Sequence, residues 1–252
     1  MSASTTATAP ATEPGPSQSR RPHTRRRLIR DFAWVLILSG VLLVADAGVT
    51  LIWQEPVTAV VALIKRSEIN RRYLSFRTAP LSQADQRALQ NVKSMEHRIN
   101  YLARREERQV GTGDAIGRIQ ISKIGASFDV VQGTDTSSLE KGPGHYPDTA
   151  FPGLGQTVAI AGHRTTYLAP FRHIDALRPG DRIVLKMPYA VFTYVVQFRR
   201  IVLPTALWVT HNVGYERLVL SACNPLYSAA QRIIVFARLG GVVPLAAARE
   251  GA

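Results

Sequence analysis

The sequence is poor in cysteine and in acidic residues. It has one cysteine, Cys223, among 252 residues. A single cysteine excludes an intramolecular disulfide and any cysteine-rich metal site. The 18 acidic residues stand against 31 lysines and arginines, which gives a formal net charge of +13. This excess favours an anionic partner, which could be nucleic acid, anionic lipid or an anionic polymer.

Motifs for nucleotides and nucleic acids are absent as well. The chain has no RNP-like run, no helix-turn-helix spacing and no zinc-ligand cluster, so we predict no nucleic-acid partner. Gly111-Thr112-Gly113 lacks the later spacing that a nucleotide-binding fingerprint requires. The positive charge is therefore explained at least as well by a lipid surface or a wall polymer.

The first 54 residues divide into a basic tail and an apolar segment. Residues 1–30 are rich in Ser, Thr, Pro, Ala and Arg and have almost no large aliphatic residue, so we predict a disordered tail. Within residues 31–54, the apolar run 32–53 would form a helix of roughly 33 Å, which matches a hydrocarbon core of about 30 Å. We therefore predict a transmembrane anchor at 31–54.

The arginines that precede this run predict its orientation. They place the N-terminus in the cytoplasm and the long C-terminal part outside the cell, as a single-pass protein of the cell membrane. Ala45-Asp46-Ala47 resembles a signal-peptide cleavage site, so a cleaved signal is the alternative. We favour an uncleaved anchor, because the apolar run continues past that site to full spanning length. The arginines are Arg20, Arg21, Arg25, Arg26, Arg27 and Arg30.

Residues 55–110 have helical patterns, and we predict a helical stalk beside the membrane. Residues 57–77 form one predicted helix, which Pro80 ends. A capping box at 82–85 begins a second helix, and its apolar stripe runs to about Arg108. This stalk could pack on the membrane or on the following domain, and a flap over an active site is the less favoured alternative. The stripe comprises Leu89, Val92, Met95, Ile99 and Leu102.

From residue 111 the pattern changes to short apolar runs separated by Gly, Pro and Asp. Strands of this length and spacing predict an antiparallel barrel or sandwich at 111–240, followed by a C-terminal tail at 241–252. The predicted strands are 116–121, 128–132, 157–161, 182–187, 191–203, 217–222 and 231–239.

Three chemically distinctive residues lie at ends of these runs. Cys223 follows the apolar run 218–220, His163 follows 157–161, and Arg232 precedes 233–237. Packing is the common role of a lone cysteine, and a solvated strand end is the common role of such an arginine. However, a thiol, an imidazole and a guanidinium on separate strands of one sheet are what thiol-based acyl transfer requires. The other histidines lie on the tail, the stalk or loops.

Five segments occur in order between residues 115 and 240, and together they resemble the motifs of sortases, most closely class E of high-GC Gram-positive bacteria. The resemblance implies an eight-stranded β-barrel with a triad of His163, Cys223 and Arg232. No acidic cluster matches the calcium site of some class A enzymes, so we predict no metal, and we predict no cofactor. The segments are GPGHYP at 142–147, AIAGHRTTY at 159–167, LRPGD at 177–181, LVLSAC at 218–223, and Arg232.

The resemblance also implies an activity and partners. Sortases are transpeptidases that cleave a C-terminal LPxTG-like signal between Thr and Gly through a thioacyl intermediate, and pass the protein to an amine of a peptidoglycan precursor or a pilin. Class E relatives favour LAxTG, a preference tied to the Tyr167 position. We expect Thr165, His145 and Tyr146 to join Tyr167 in binding the substrate.

The sequence departs from the family pattern at two positions, and two other functions stay open. Ala222 stands where a Thr commonly precedes the nucleophile, and Asn224 where relatives often have His. An L,D-transpeptidase is one alternative, although its Ser-x-Gly-Cys context does not match residues 221–224. The other alternative is a non-catalytic, membrane-anchored barrel that binds peptides or wall polymer.

Overall fold

The computed structural model describes residues 23–53, 60, 63–64 and 81–245. The chain divides into two compact units, Met1–Gly48 and Val49–Ala252. The disorder predicted for 1–22, most of the helix predicted at 57–77 and the tail 246–252 lie outside the described residues.

Helix α1, His23–Trp53, contains the predicted membrane span. Its stretch Arg26–Gly48 has a mean hydropathy of 2.0 and is long and apolar enough to cross a membrane. The helix begins within the segment predicted to be disordered, so that prediction was wrong for residues 23–30. Arg and Leu are good helix formers, and a helix elongates at little cost once it is nucleated.

Two helices replace the single helix predicted after residue 82. Helix α2 is Gln83–Gln90 and helix α3 is Met95–Gln109. Ser82 caps α2 as predicted, since its hydroxyl accepts a hydrogen bond from the Asp85 amide. Asn91 ends α2 and Ser94 precedes α3. Both residue types favour helix ends over helix interiors, and this breaks the stripe.

The α2–α3 pair packs on the barrel. Asp85 joins the two helices, because it accepts hydrogen bonds from Tyr101 Oη at 2.9 Å and from Arg105 Nε at 2.8 Å. Leu89 and Leu102 belong to the same apolar core as the barrel interior. This part of the predicted stalk therefore packs on the following domain.

Eight strands form a closed barrel in the order β1-β2-β3-β4-β7-β8-β6-β5. All seven predicted strands are present, and β3, which has two residues, was missed because it is too short for any periodicity. The predicted antiparallel pairing is wrong for β2–β3 and β4–β7, which are parallel. The strands are β1 Ala115–Ile121, β2 Ala126–Gln132, β3 Gly144–His145, β4 Thr157–Ala161, β5 Arg182–Lys186, β6 Ala190–Val202, β7 Arg217–Asn224 and β8 Gln231–Pro244.

The strand β8 runs beyond the predicted end of the domain. It ends at Pro244, four residues into the segment predicted as a C-terminal tail. Its last residues pair with the start of β6, where Ala190 is opposite Pro244. Backbone pairing with β6 therefore extends the strand past the apolar pattern from which its end was predicted.

Alternation along β4, β7 and β8 gives these strands two apolar faces. Leu218, Leu220 and Ala222 face the main core, whereas Val219 belongs to a second cluster on the outside. A 3-10 turn, Leu207–Thr210, contributes Val209 to that outer cluster. Because successive side chains point to opposite faces of a strand, Cys223 lies on the outer face, in line with Val219.

Candidate active site

The strand register brings the three sequence-predicted residues side by side. Cys223 on β7 is the direct cross-strand partner of Arg232 on β8. On the other side of β7, Ala161 pairs with Ser221, and the Gly162 amide donates to the Ser221 carbonyl at 3.0 Å. Two residues beyond Ala161, His163 therefore falls beside Cys223. Direct cross-strand partners have Cβ atoms about 5 Å apart. His163, Cys223 and Arg232 therefore form a compact row across the ends of β4, β7 and β8.

The thiol of Cys223 lies in a position suited to reaction. It is unpaired and partly exposed at the end of β7. Reactive thiols need access for the substrate and a nearby positive charge. Arg232 provides that charge from the neighbouring strand.

The guanidinium of Arg232 is oriented by its own loop. Its Nη1 donates to the carbonyl of Ala229 at 2.9 Å and to that of Gln231 at 3.0 Å. Among the described residues, its Nε and Nη2 have no hydrogen-bond partner. These two donors are available to a developing oxyanion beside the thiol.

The imidazole of His163 is held at the surface but is partly dehydrated. Its Nε2 is buried without a hydrogen-bond partner among the described residues. Burial lowers the pKa of His163 from its usual value, and the Glu140 carboxylate opposes that change. The neutral imidazole, which can accept a proton from a thiol, is therefore the favoured form near pH 7.

Tyr167 supports the imidazole from a turn of unusual backbone conformation. Its ring centroid lies 5.1 Å from that of His163, and its hydroxyl donates to Glu140 Oε1 at 3.1 Å. Tyr167, Leu168 and Ala169 have φ angles of 50°, 64° and 41°. Left-handed conformations cost roughly 1–2 kcal/mol per non-glycine residue. Such strain is typical of functional sites, where the surrounding structure holds it in place.

Arg164, to which the sequence assigned no role, joins the ends of β4 and β7. Its side chain is only 4% exposed and is paired with Asp175 at 2.9 Å. Nη1 donates to Asn224 Oδ1 at 2.9 Å and to the Cys223 carbonyl at 3.4 Å. The residue after His163 thus secures the backbone of Cys223. Its direct attachment to His163 in the sequence was the only available signal.

An apolar cavity of about 160 Å³ lies beside Arg232. Tyr146 and Ser221 line it together with Arg232. The role of Tyr146 in substrate binding stays a prediction. The segment between β6 and β7 supplies its opposite wall, including Leu207, which is 73% exposed. An extended apolar peptide segment would cover such a surface.

His145 does not fit the predicted role in substrate binding. It is 1% exposed on β3, and its Nε2 donates to the Ala150 carbonyl at 3.1 Å. Its Nδ1 lies 2.9 Å from the side-chain Oε1 of Gln132. Both ring nitrogens are engaged in the core, so we correct that prediction. Thr165 lies partly buried in the turn after His163, and its role in substrate binding stays a prediction.

The arrangement of these side chains is chemically suited to thiol-dependent acyl transfer. In the strand register Cys223 lies between His163, whose Nε2 has no hydrogen-bond partner among the described residues, and Arg232. Such chemistry needs a nucleophile, a proton carrier and an oxyanion donor, and a thiol, an imidazole and a guanidinium are able to fill these roles.

Comparisons with known proteins agree with this class. The sortase domain family matches residues 119–240. The chain is 35% identical over 131 residues to sortase D of Bacillus subtilis, which covers 50% of this chain and 65% of that relative. It therefore spans slightly less than two thirds of that relative's length.

Solved structures extend the comparison to the whole barrel. Sortase E from Streptomyces avermitilis is 34% identical, with a TM-score of 0.50, over 54% of this chain and 93% of that one. A sortase D transpeptidase from Clostridium perfringens is 25% identical, with a TM-score of 0.53, over 72% and 99% of the two chains. The chain belongs to the sortase family, whose characterised members are cysteine transpeptidases, and it is similar to class E.

Proposed function

We propose that this protein is a cysteine transpeptidase that cleaves a C-terminal LPxTG-like or LAxTG-like sorting signal between Thr and Gly. Cys223 is the nucleophile, His163 the general acid and base, and Arg232 the oxyanion donor. The observation that carries the proposal is the single row of these residues across the ends of β4, β7 and β8.

The first step forms a thioester. The neutral imidazole of His163 takes the proton of the Cys223 thiol, and the sulfur attacks the carbonyl carbon of the signal's Thr. Arg232 Nε and Nη2 stabilise the oxyanion. The carbon–nitrogen bond to Gly then breaks, and the imidazolium gives its proton to the leaving amine.

The second step transfers the protein to an acceptor. The acceptor amine attacks the thioester carbonyl, the carbon–sulfur bond breaks, and the amine proton passes through His163 to the sulfur. An amide bond and the free thiol result. The acceptors we propose are the amine of a peptidoglycan precursor or a pilin lysine.

The groove beside Arg232 would receive the sorting signal. Tyr146 and the exposed Leu207 provide apolar contacts there, and Tyr167 lies on the opposite side of the row, against His163. Helix α1 would anchor the enzyme in the membrane as a single-pass protein. The arginines before the span would keep the N-terminus in the cytoplasm and the barrel outside.

Trapping of the thioester tests this function. The full chain in detergent is incubated with a peptide that contains Leu-Ala-Ser-Thr-Gly, and intact mass is measured after acid quenching. We expect an acyl adduct on the wild-type chain and none on Cys223→Ala. Normal cleavage of the peptide by Cys223→Ala would contradict the proposal. A barrel that only binds peptides would form no adduct in either chain.

A further inference from the structure

We propose that a second cavity, behind the strand end that carries Cys223, binds an anionic group on the acceptor amine. The anion is a carboxylate or a phosphate. This inference rests on the proposed function and adds to it the class of acceptor. The cavity measures about 540 Å³, and its polar lining consists of Arg164, Asp175, Arg178, Arg199, Arg200 and Asn224.

The lining has a strong excess of positive charge. Arg164, Arg178 and Arg199 stand against one aspartate, which leaves a formal charge of +2 (3 − 1), because the guanidinium of Arg200 lies over Phe198 on the opposite face of β6 from Arg199. Asp175 is paired with Arg164 at 2.9 Å, and within the part of the chain that the structure describes no carboxylate pairs with Arg178 or Arg199. Guanidinium groups without counter-ions are suited to bidentate binding of carboxylate or phosphate.

Arg178 is held in place without losing all its donors. Its Nη1 donates to the carbonyls of Asp175 and Leu177. Such contacts reduce the entropy lost when a ligand orders this side chain.

The cavity adjoins the nucleophile but is separate from the groove. Asn224, one residue after Cys223, lines the cavity, and Arg164 binds both the Asn224 side chain and the Cys223 carbonyl. None of the residues that line the groove beside Arg232 also lines this cavity. An acceptor held by its anion can therefore approach the thioester while the acyl donor occupies the groove.

An anion site at this position makes the second step selective for acceptors that carry a negative charge. The amine nitrogen forms the new bond to the acyl carbon, the sulfur leaves, and the anion takes no part in bond making. Its binding raises the local concentration of the amine next to the thioester. Water competes for the same intermediate, so the ratio of transfer to hydrolysis measures this effect.

Three amines with the same two-carbon spacer provide the test. Ethanolamine is neutral, β-alanine carries a carboxylate and phosphoethanolamine carries a phosphate. Each is added to the full chain in detergent with the Leu-Ala-Ser-Thr-Gly peptide, and the ratio of amide product to hydrolysed product is measured. We expect one or both anionic amines to give a higher ratio than ethanolamine, and the better one identifies the anion.

Substitutions in the cavity test whether the preference for anionic amines arises there. Arg199→Gln and Arg178→Gln should each lower the ratio for the preferred anionic amine about threefold, the effect of one partly exposed ion pair, and leave the ratio for ethanolamine unchanged. Arg182→Gln is the matched control, since it removes an exposed arginine from β5, outside the cavity. Equal ratios for all three amines, or an equal loss with Arg182→Gln, would overturn the inference.

The same assay separates this inference from the proposed function. Formation of the acyl adduct and its hydrolysis report on the triad alone. If the adduct forms and hydrolyses but shows no charge preference, only the anion site is wrong. If no adduct forms, the proposed function itself fails.

Discussion

His145 lies on β3 and His163 lies just past the end of the neighbouring strand β4, and the two have different environments. His145 is part of β3, with both ring nitrogens engaged and its pKa lowered to about 4 by burial. His163 follows β4 and keeps one nitrogen unpartnered, beside a thiol on the next strand. Burial lowers both pKa values, but only His163 of these two has a buried ring nitrogen without a hydrogen-bond partner among the described residues.

The two histidines differ less in burial than in the hydrogen bonds of their ring nitrogens, and we expect this difference to separate a structural role from a catalytic one. The carbonyl of Ala150 and the side chain of Gln132 satisfy His145, so its loss should affect folding. The ring of Tyr167 packs against that of His163, and no hydrogen bond satisfies His163 Nε2 among the described residues, so we expect loss of His163 to affect chemistry more than folding. Three experiments sharpen this contrast.

The largest effect is expected for His163→Gln. Without the imidazole, no group in the row can carry the proton between the thiol and the leaving amine, and we expect kcat/KM for the sorting peptide to fall about 10³-fold. The melting temperature should change little, because no buried hydrogen bond of Nε2 is lost. A residual activity within threefold of wild type would assign the proton transfer to another residue.

His145→Gln should instead change stability and its pH dependence. At pH 7 we expect a loss of about 1–3 kcal/mol from the disturbed buried hydrogen bonds. In the wild type the folded pKa, about 4, is lower than the unfolded value. The stability of the neutral ring is therefore present above about pH 6.5 and lost as pH falls towards 4, by up to about 3 kcal/mol.

Thermal unfolding at pH 7 and pH 4 checks this linkage. The full chain in detergent should lose more stability between these pH values as wild type than as His145→Gln, because glutamine does not titrate. The carboxyl groups titrate equally in both chains, so their contributions cancel when the stability change of one chain is subtracted from that of the other. Parallel pH profiles for the two chains would mean that His145 is not buried in its neutral form.

The smallest effect is expected for Glu140→Gln. The carboxylate of Glu140 favours the protonated form of His163, so its removal lowers the pKa of His163 further. The acidic limb of the kcat/KM profile should then move to lower pH. Glu96→Gln, an exposed acid on α3, is the control and should leave the profile in place. A shift to higher pH would contradict the assigned direction.

Local patterns predicted most of the barrel. Seven strands appeared as apolar runs because each alternates or is buried along its length, and the motif resemblance supplied the eight-strand count. The pattern failed at the two-residue strand β3 and at the break between α2 and α3. A stripe of apolar residues shows which face of a helix is buried. A short break such as that between α2 and α3 does not change the period of the stripe, so the stripe does not reveal the break.

The sequence also could not distinguish among its histidines by environment. His145 belongs to a motif that matches the family and was expected to contact substrate, yet its ring points into the core. Arg164 stood beside His163 in a matching motif, and its role depends on Asn224, far along the chain. Both outcomes follow from tertiary packing, which the spacing of residues in the sequence does not encode.

The apolar span, the strand pattern and the three chemical groups at strand ends can all be read from the sequence. They depend on composition and on periods of two or about three and a half residues, which are local properties of the chain. Pairing of β7 with β8 and with β4 placed Cys223 opposite Arg232 and beside His163, and packing of β6 against the loops brought Arg164, Arg178 and Arg199 to one cavity. Register between strands sets these neighbours, and it depends on which face of each strand the common core buries and on the turns that join the strands.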